Sequence, residues 1–227
     1  MNQVDVYCTA AFTLLRHICV AKVDTPIFVD ITSCTRKQCV YVGDTINACV
    51  YRLRLDGLVS TWKVTEHPTA LSVTHNTDVL VICQTEKKLI VLNSDSGDCI
   101  LEMKVQMRID HLSHCIQLSD DRYVVAHVDL DYNGRLSQID TYSRILHRTE
   151  DNVALDPPQY MAMDKDGFLF VANFRLNSVV LVDPSLNYVR SVVKQLEHKP
   201  ESLCFDDAAR RLYVLCDDRR SILVVQM

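Results

Sequence analysis

The residues best spaced for chemistry lie in one stretch, DLDYNGRLSQID at 129–140. Asp129, Asp131, Asn133, Gly134 and Asp140 match positions 1, 3, 5, 6 and 12 of a calcium-binding loop, and Leu136 fits the apolar position 8. A hard cation needs oxygens clustered in this way, with glycine at the sharp turn. Two features count against it. The last ligand is Asp where a bidentate Glu is usual, and the flanking residues read as strands rather than helices. The same residues fit a hairpin with a tight turn at Asn133-Gly134, which is the preferred reading.

Other chemistry-bearing residues are scattered. His67, His111, His114 and His198 could suit zinc if three or four converged. Their offsets within the repeat described below differ, so they are expected to be satisfied or solvent-facing and not to form one ring. Ten cysteines invite a zinc or disulfide reading, but the closest pair, Cys34 and Cys39, has four residues between. Cys39, Cys49, Cys83, Cys115, Cys204 and Cys216 sit in apolar runs and are expected to be core thiols in a reducing compartment. The chain has no Gly-rich phosphate loop and no Gly-x-Ser-x-Gly elbow. A non-catalytic binding role without cofactor or metal is expected; the alternative is a metal-dependent hydrolase or lyase.

The elements that carry these residues repeat. One series of β-rich runs is QCVYVGD (38–44), DVLVICQ (78–84), RYVVAHV (122–128), FLFVANF (168–174) and RLYVLCD (211–217). About ten residues after the start of each begins another: ACVYRL, KLIVLN, RLSQID, SVVLVD and SILVVQ. Shorter apolar runs precede each. Pro26, Pro68, Pro158 and Pro200, with Ser113 in the same slot, set spacings of 42, 45, 45 and 42 residues. Proline suits the start of a strand, where its missing N–H removes no ladder bond. Each unit reads as four strands, a to d, with strand b buried on both faces. Four strands recurring at this period predict β-propeller blades.

The units VYVGDTINACVYRLRLDG (40–57) and LFVANFRLNSVVLVDPSL (169–186) resemble NHL repeats. The resemblance runs from Pro26 to the C-terminus and is similar to the propeller of tripartite-motif-NHL proteins and of uncharacterised invertebrate NHL proteins. HCIQLSDDRYVVAH and YMAMDKDGFLFVANF carry most of it. Glycine is scarcer than the pattern expects, with five in the chain. The resemblance implies a module for substrate or RNA recognition in ubiquitin-ligase systems. RING and B-box modules have no counterpart in these residues, so no ligase activity is expected of them.

The register predicts a single all-β domain. Residues 1–25 would supply strands c and d of a partial first blade, residues 26–199 four complete blades, and residues 200–227 a last blade without strand d. This favours an incomplete six-bladed ring, with roughly 35–40 further residues expected before Met1, over a five-bladed ring closed by residues 13–19.

Net charge is −5, which argues against a surface devoted to phosphate backbones. One rim of the blades nevertheless collects Lys87, Lys88, Arg108, Arg175, Arg219 and Arg220, a candidate binding face. The expected partner is a protein, with RNA second, and neither DNA nor a membrane. Trp62, the single tryptophan, is expected to pack between blades. No apolar run reaches the ~18 residues of a membrane span, and the expected location is the cytoplasm.

Overall fold

The computed structural model describes residues 3–7, 13–20, 26–150, 155–217 and 221–227, and these contain strands but no helix. β1 (Gln3–Tyr7) and β2 (Leu14–Cys19) pair with each other. Four four-stranded sheets follow. They are β3 (Phe28–Cys34) to β6 (Val59–Lys63), β7 (Ala70–Val73) to β10 (Cys99–Lys104), β11 (Ile109–Ser119) to β14 (Ile145–Arg148), and β15 (Pro158–Met163) to β18 (Tyr188–Val193). A three-stranded sheet, β19 (Pro200–Asp206), β20 (Arg211–Cys216) and β21 (Ile222–Gln226), completes the described residues. Inside the four-stranded sheets the second strands are β4 (Cys39–Asp44), β8 (Val79–Cys83), β12 (Arg122–Asp129) and β16 (Leu169–Asn173). The third strands are β5 (Cys49–Arg54), β9 (Lys88–Leu92), β13 (Gly134–Asp140) and β17 (Ser178–Val182).

Strands within each sheet lie in chain order, the meander of a propeller blade. Five sheets start from a strand a, which matches the five-bladed count, and β1 and β2 form a sheet of their own. Two compact units carry these sheets; β11 to β21 belong wholly to the second.

Burial explains why apolar runs without alternation become strands. All five residues of β8, β16 and β17 are buried; for β16 and β17 the sheets on either side each cover one face. In the first unit, Tyr41, Val50 and Trp62 pack on Leu71, Val79, Val81 and Ile90 of the next sheet. In the second, Val124, Ala126 and Leu136 meet Met161, Leu169, Val171 and Val180, while Phe170 and Val179 meet Leu203, Leu212 and Val214. Trp62 is therefore an inter-blade residue. It tilts against Tyr41 at 5.6 Å between ring centroids. Its other close neighbour is Gly97, where a Cβ would come within 2.3 Å of the indole.

Outer strands follow a different rule. β6 and β10 each bury one inward anchor, Trp62 and Met103, and are otherwise exposed apart from the half-buried Leu101. Five of the six cysteines expected in the core are buried; Cys204 is exposed. It lies on the face of β19 opposite Leu203, and Leu203 is the residue that packs on the preceding sheet.

Candidate functional site

Three blades use a polar residue at the end of strand b, or just past it, to hold the start of strand a. Asp44 is fully buried. Its carboxylate accepts from the Ile27 N–H at 3.3 Å, the Ile46 and Asn47 N–H groups at 3.1 Å each, Asn47 Nδ2 at 2.6 Å and the Tyr51 hydroxyl at 3.2 Å. Asn173 does the same with the Asp156 N–H at 2.6 Å, and Asp217 with the Lys199 N–H at 3.1 Å. The Asp or Asn of the repeat pattern is thus a staple between strands, satisfying a backbone donor just ahead of strand a.

The first four b–c loops each turn through a residue with positive φ: Ala48 at 47°, Lys87 at 52°, Tyr132 at 62° and Asn177 at 46°. These tight turns leave side chains at the tips. Within the second unit, the loops after β12 and β16 expose Leu130 (47 %), Tyr132 (74 %) and Leu176 (49 %). The corresponding loop of the first unit exposes Ile46. Charge-based reading of the sequence missed these tips. The signal was present as a large apolar residue inside an otherwise polar loop.

The candidate cations are placed as follows. Lys87 turns its ammonium onto the Ile109 carbonyl, and its own carbonyl accepts from the Val105 N–H at 2.7 Å. It ties the b–c loop to the connection leading into β11. Lys88 is half-buried at the start of β9. Arg108 is exposed beside β11. Arg175 pairs with Asp156 at 3.4 Å, and its N–H donates to the Asp156 carbonyl at 2.7 Å. Arg219 and Arg220 lie outside the described residues. Nearby, Lys199 sits 4.9 Å from the Phe174 ring centroid. The rim is therefore a mixture of cations with local partners, one carboxylate and exposed apolar tips, and not a uniform basic field.

The 129–140 segment forms a hairpin. β12 and β13 pair from Arg122↔Asp140 to Val128↔Gly134, which puts Asp129 and Asp140 at opposite ends of the ladder. Six residues of strand at ~3.3 Å each separate Gly134 from Asp140, far beyond one coordination sphere. Each carboxylate has local work. Asp129 accepts from the Asp131 and Asn133 N–H groups at 2.9 Å each and pairs with Arg135 at 3.4 Å. Burial would raise its pKa, but those hydrogen bonds outweigh it and hold the carboxyl below its ordinary value. Asp140 caps the next turn through the Tyr142 and Arg144 N–H groups and pairs with Arg144 at 2.6 Å. The turn is not centred on Asn133-Gly134. Tyr132 takes the left-handed conformation. Gly134 is needed for closeness, since a Cβ there would stand 2.4 Å from the Leu155 carbonyl oxygen.

The histidines have separate settings. His67 Nδ1 contacts the Thr45 carbonyl at 2.5 Å, His114 is buried against the Tyr160 ring at 3.9 Å between centroids, and His198 lies 4.0 Å from Asp217. His111 is partly exposed, and burial lowers its pKa although Asp110 pulls the other way. Among the described residues, no three His, Cys, Asp or Glu side chains are grouped to hold a metal ion. The fully buried histidine is His127, 2.9 Å from the Ser137 hydroxyl, which also accepts from Arg148 Nε at 3.1 Å. Burial, reinforced by Arg148, pushes the His127 pKa down to about 4.

No family model and no curated protein matches the chain. Solved structures do. Hydrazine synthase of Kuenenia stuttgartiensis is similar with a TM-score of 0.70 and 11 % identity, over 100 % of this chain and 90 % of that one. A streptogramin B lyase gives 0.70 and 11 %, over 100 % and 76 %. Virginiamycin B lyase of Staphylococcus aureus gives 0.64 and 12 %, over 92 % and 72 %. The fold is a β-propeller. Likeness at this identity concerns the fold and leaves the chemistry of the loops open. No helix of the described residues is long and apolar enough to cross a membrane.

Proposed function

We propose that this chain is a non-catalytic interaction module of NHL type that binds a protein partner through the b–c loop tips of its blades. In this reading it works in the cytoplasm, as a recognition domain does in ubiquitin-ligase systems. The observation that carries the proposal is the group of exposed tips Leu130, Tyr132 and Leu176 on two successive blades, beside the Arg175–Asp156 pair. Tyrosine and arginine are enriched at protein interfaces, where a large ring brings contact area at little entropic cost. Rigid blades with short loops preorganise such a surface. Local pairing of Lys87 and Arg175 leaves less free positive charge for a nucleic-acid backbone, so protein ranks ahead of RNA.

The test compares the wild-type chain with Tyr132→Ser/Leu176→Ser in affinity capture, with captured proteins identified and quantified by mass spectrometry. A protein whose capture falls at least tenfold in the variant, by order of magnitude the loss of hot-spot residues, supports the reading. Identical captured sets overturn it. Two further outcomes would replace it. Steeply salt-dependent binding of a random oligonucleotide would favour RNA. A stoichiometric metal in the purified chain would favour the hydrolase or lyase alternative, which rests on likeness of fold alone.

A further inference from the structure

A modification site lies at the end of the first hairpin, in a different place from the loop tips. β3 and β4 pair in the register Thr32↔Tyr41, Ser33↔Val40, Cys34↔Cys39, so the two cysteines are the last pair before the turn at 35–38. Directly opposed residues of antiparallel strands project to the same face. Burial agrees with the register: both cysteines lie in one apolar cluster with Tyr41 and Trp62. Opposed Cα atoms stand ~4.5 or ~5.5 Å apart depending on the type of pair, inside the ~4.4–6.8 Å range of disulfides. Opposed Cβ atoms stand ~4.5–5.5 Å apart, while a disulfide wants ~3.5–4.5 Å, so closure needs about an ångström of approach. Both thiols are free in this structure. The turn between them is mostly exposed, with Thr35, Arg36 and Gln38 facing solvent, which gives a route to the sulfurs when the hairpin end opens.

We propose that Cys34 and Cys39 form a reversible cross-strand disulfide by exchange with a small disulfide of the oxidised-glutathione class. One cysteine thiolate attacks a glutathione sulfur; the glutathione S–S bond breaks, and one glutathione thiolate leaves. The second cysteine thiolate attacks the protein sulfur of that mixed disulfide; the Cys34–Cys39 bond forms and the second glutathione leaves. The protein pair gives up two electrons and two protons, and one glutathione disulfide becomes two glutathione thiols. The bond fixes the a–b hairpin at its turn. Cys49, one strand over at Asp44↔Cys49, has no cysteine opposite and stays reduced.

The experiment equilibrates the folded wild-type chain with oxidised glutathione, blocks remaining thiols with N-ethylmaleimide in denaturant, and digests with trypsin. Cleavage at Lys22, Arg36, Lys37 and Arg52 puts Cys34 in peptide 23–36 and Cys39, with Cys49, in peptide 38–52. Expected is a crosslinked species of these two peptides in more than half of the chains. It is lighter than their sum by two hydrogen atoms, separates on reduction, and carries the maleimide on Cys49. Cys34→Ser abolishes it. The proposal is overturned if both cysteines carry maleimide, if they stop as glutathione mixed disulfides, or if either is joined to another cysteine.

Discussion

The b–c loops after β4 and after β12 both start from an aspartate at the end of strand b, and they spend it differently. Asp44 is fully buried and gathers donors from the start of β3, its own loop and Tyr51. The Asp129 carboxylate turns onto its own loop and Arg135. The first loop is welded to the blade. Among the described residues, the second is held by its own turn, by Arg135 and by the closeness of Gly134 to Leu155, and it puts Tyr132 into solvent. One repeat position can thus serve as structural staple or as support for a displayed side chain. The difference lies in what the neighbouring residues offer the carboxylate.

The sharpest way to break this comparison is to remove the first staple. Asp44→Ala strands several buried donors and is expected to cost about 4 kcal/mol, read as a lowered urea midpoint at unchanged slope. A loss near that of an exposed aspartate would end the contrast.

Next comes pH, in the blade that carries the second loop. His127 is held neutral with its folded pKa at about 4, below the ~6.5 of an unfolded chain. The unfolded state therefore takes up a proton first. Stability is complete above the unfolded value and falls as pH drops from there to about 4. Wild type should lose up to roughly 3 kcal/mol more than His127→Gln across that window. Parallel pH profiles of the two unfolding curves would refute it.

Gly134→Ala should cost about 2 kcal/mol, because the new methyl meets a backbone carbonyl that has little room to move. Thermal unfolding measures it, and a neutral result would mean that the loop is not pinned there. Asp129→Ala should cost about 1 kcal/mol, since water can take over its donors. Tyr132→Ser should change stability by under about 0.5 kcal/mol, in keeping with a side chain that touches little. A larger effect would show that the exposed ring is structural.

Much of the fold could be read from the order of residues, and much less of the surface. Runs such as VLVIC and LFVAN mark strand b because no alternating pattern is needed where both faces are covered. Pro158 and Pro200 begin strands as their missing N–H requires. Trp62 was placed between blades by its position in strand d. The 129–140 segment shows the limit. Its oxygens have calcium spacing along the chain, but a ladder separates the first from the last. Arg175 and Lys87 count as cations in the sequence, yet their partners, Asp156 and the Ile109 carbonyl, come from just before strand a and from its first residue.

By itself the sequence determined the period, the all-β class and the place of each strand, because hydrophobic pattern and turn chemistry are local and repeat with the unit. Only the tertiary structure decided which polar groups are consumed by the fold and which face solvent. That depends on contacts between strands a and b and between neighbouring blades. The same aspartate, lysine or cysteine has a different role according to the backbone donor, carbonyl or thiol that pairing brings against it.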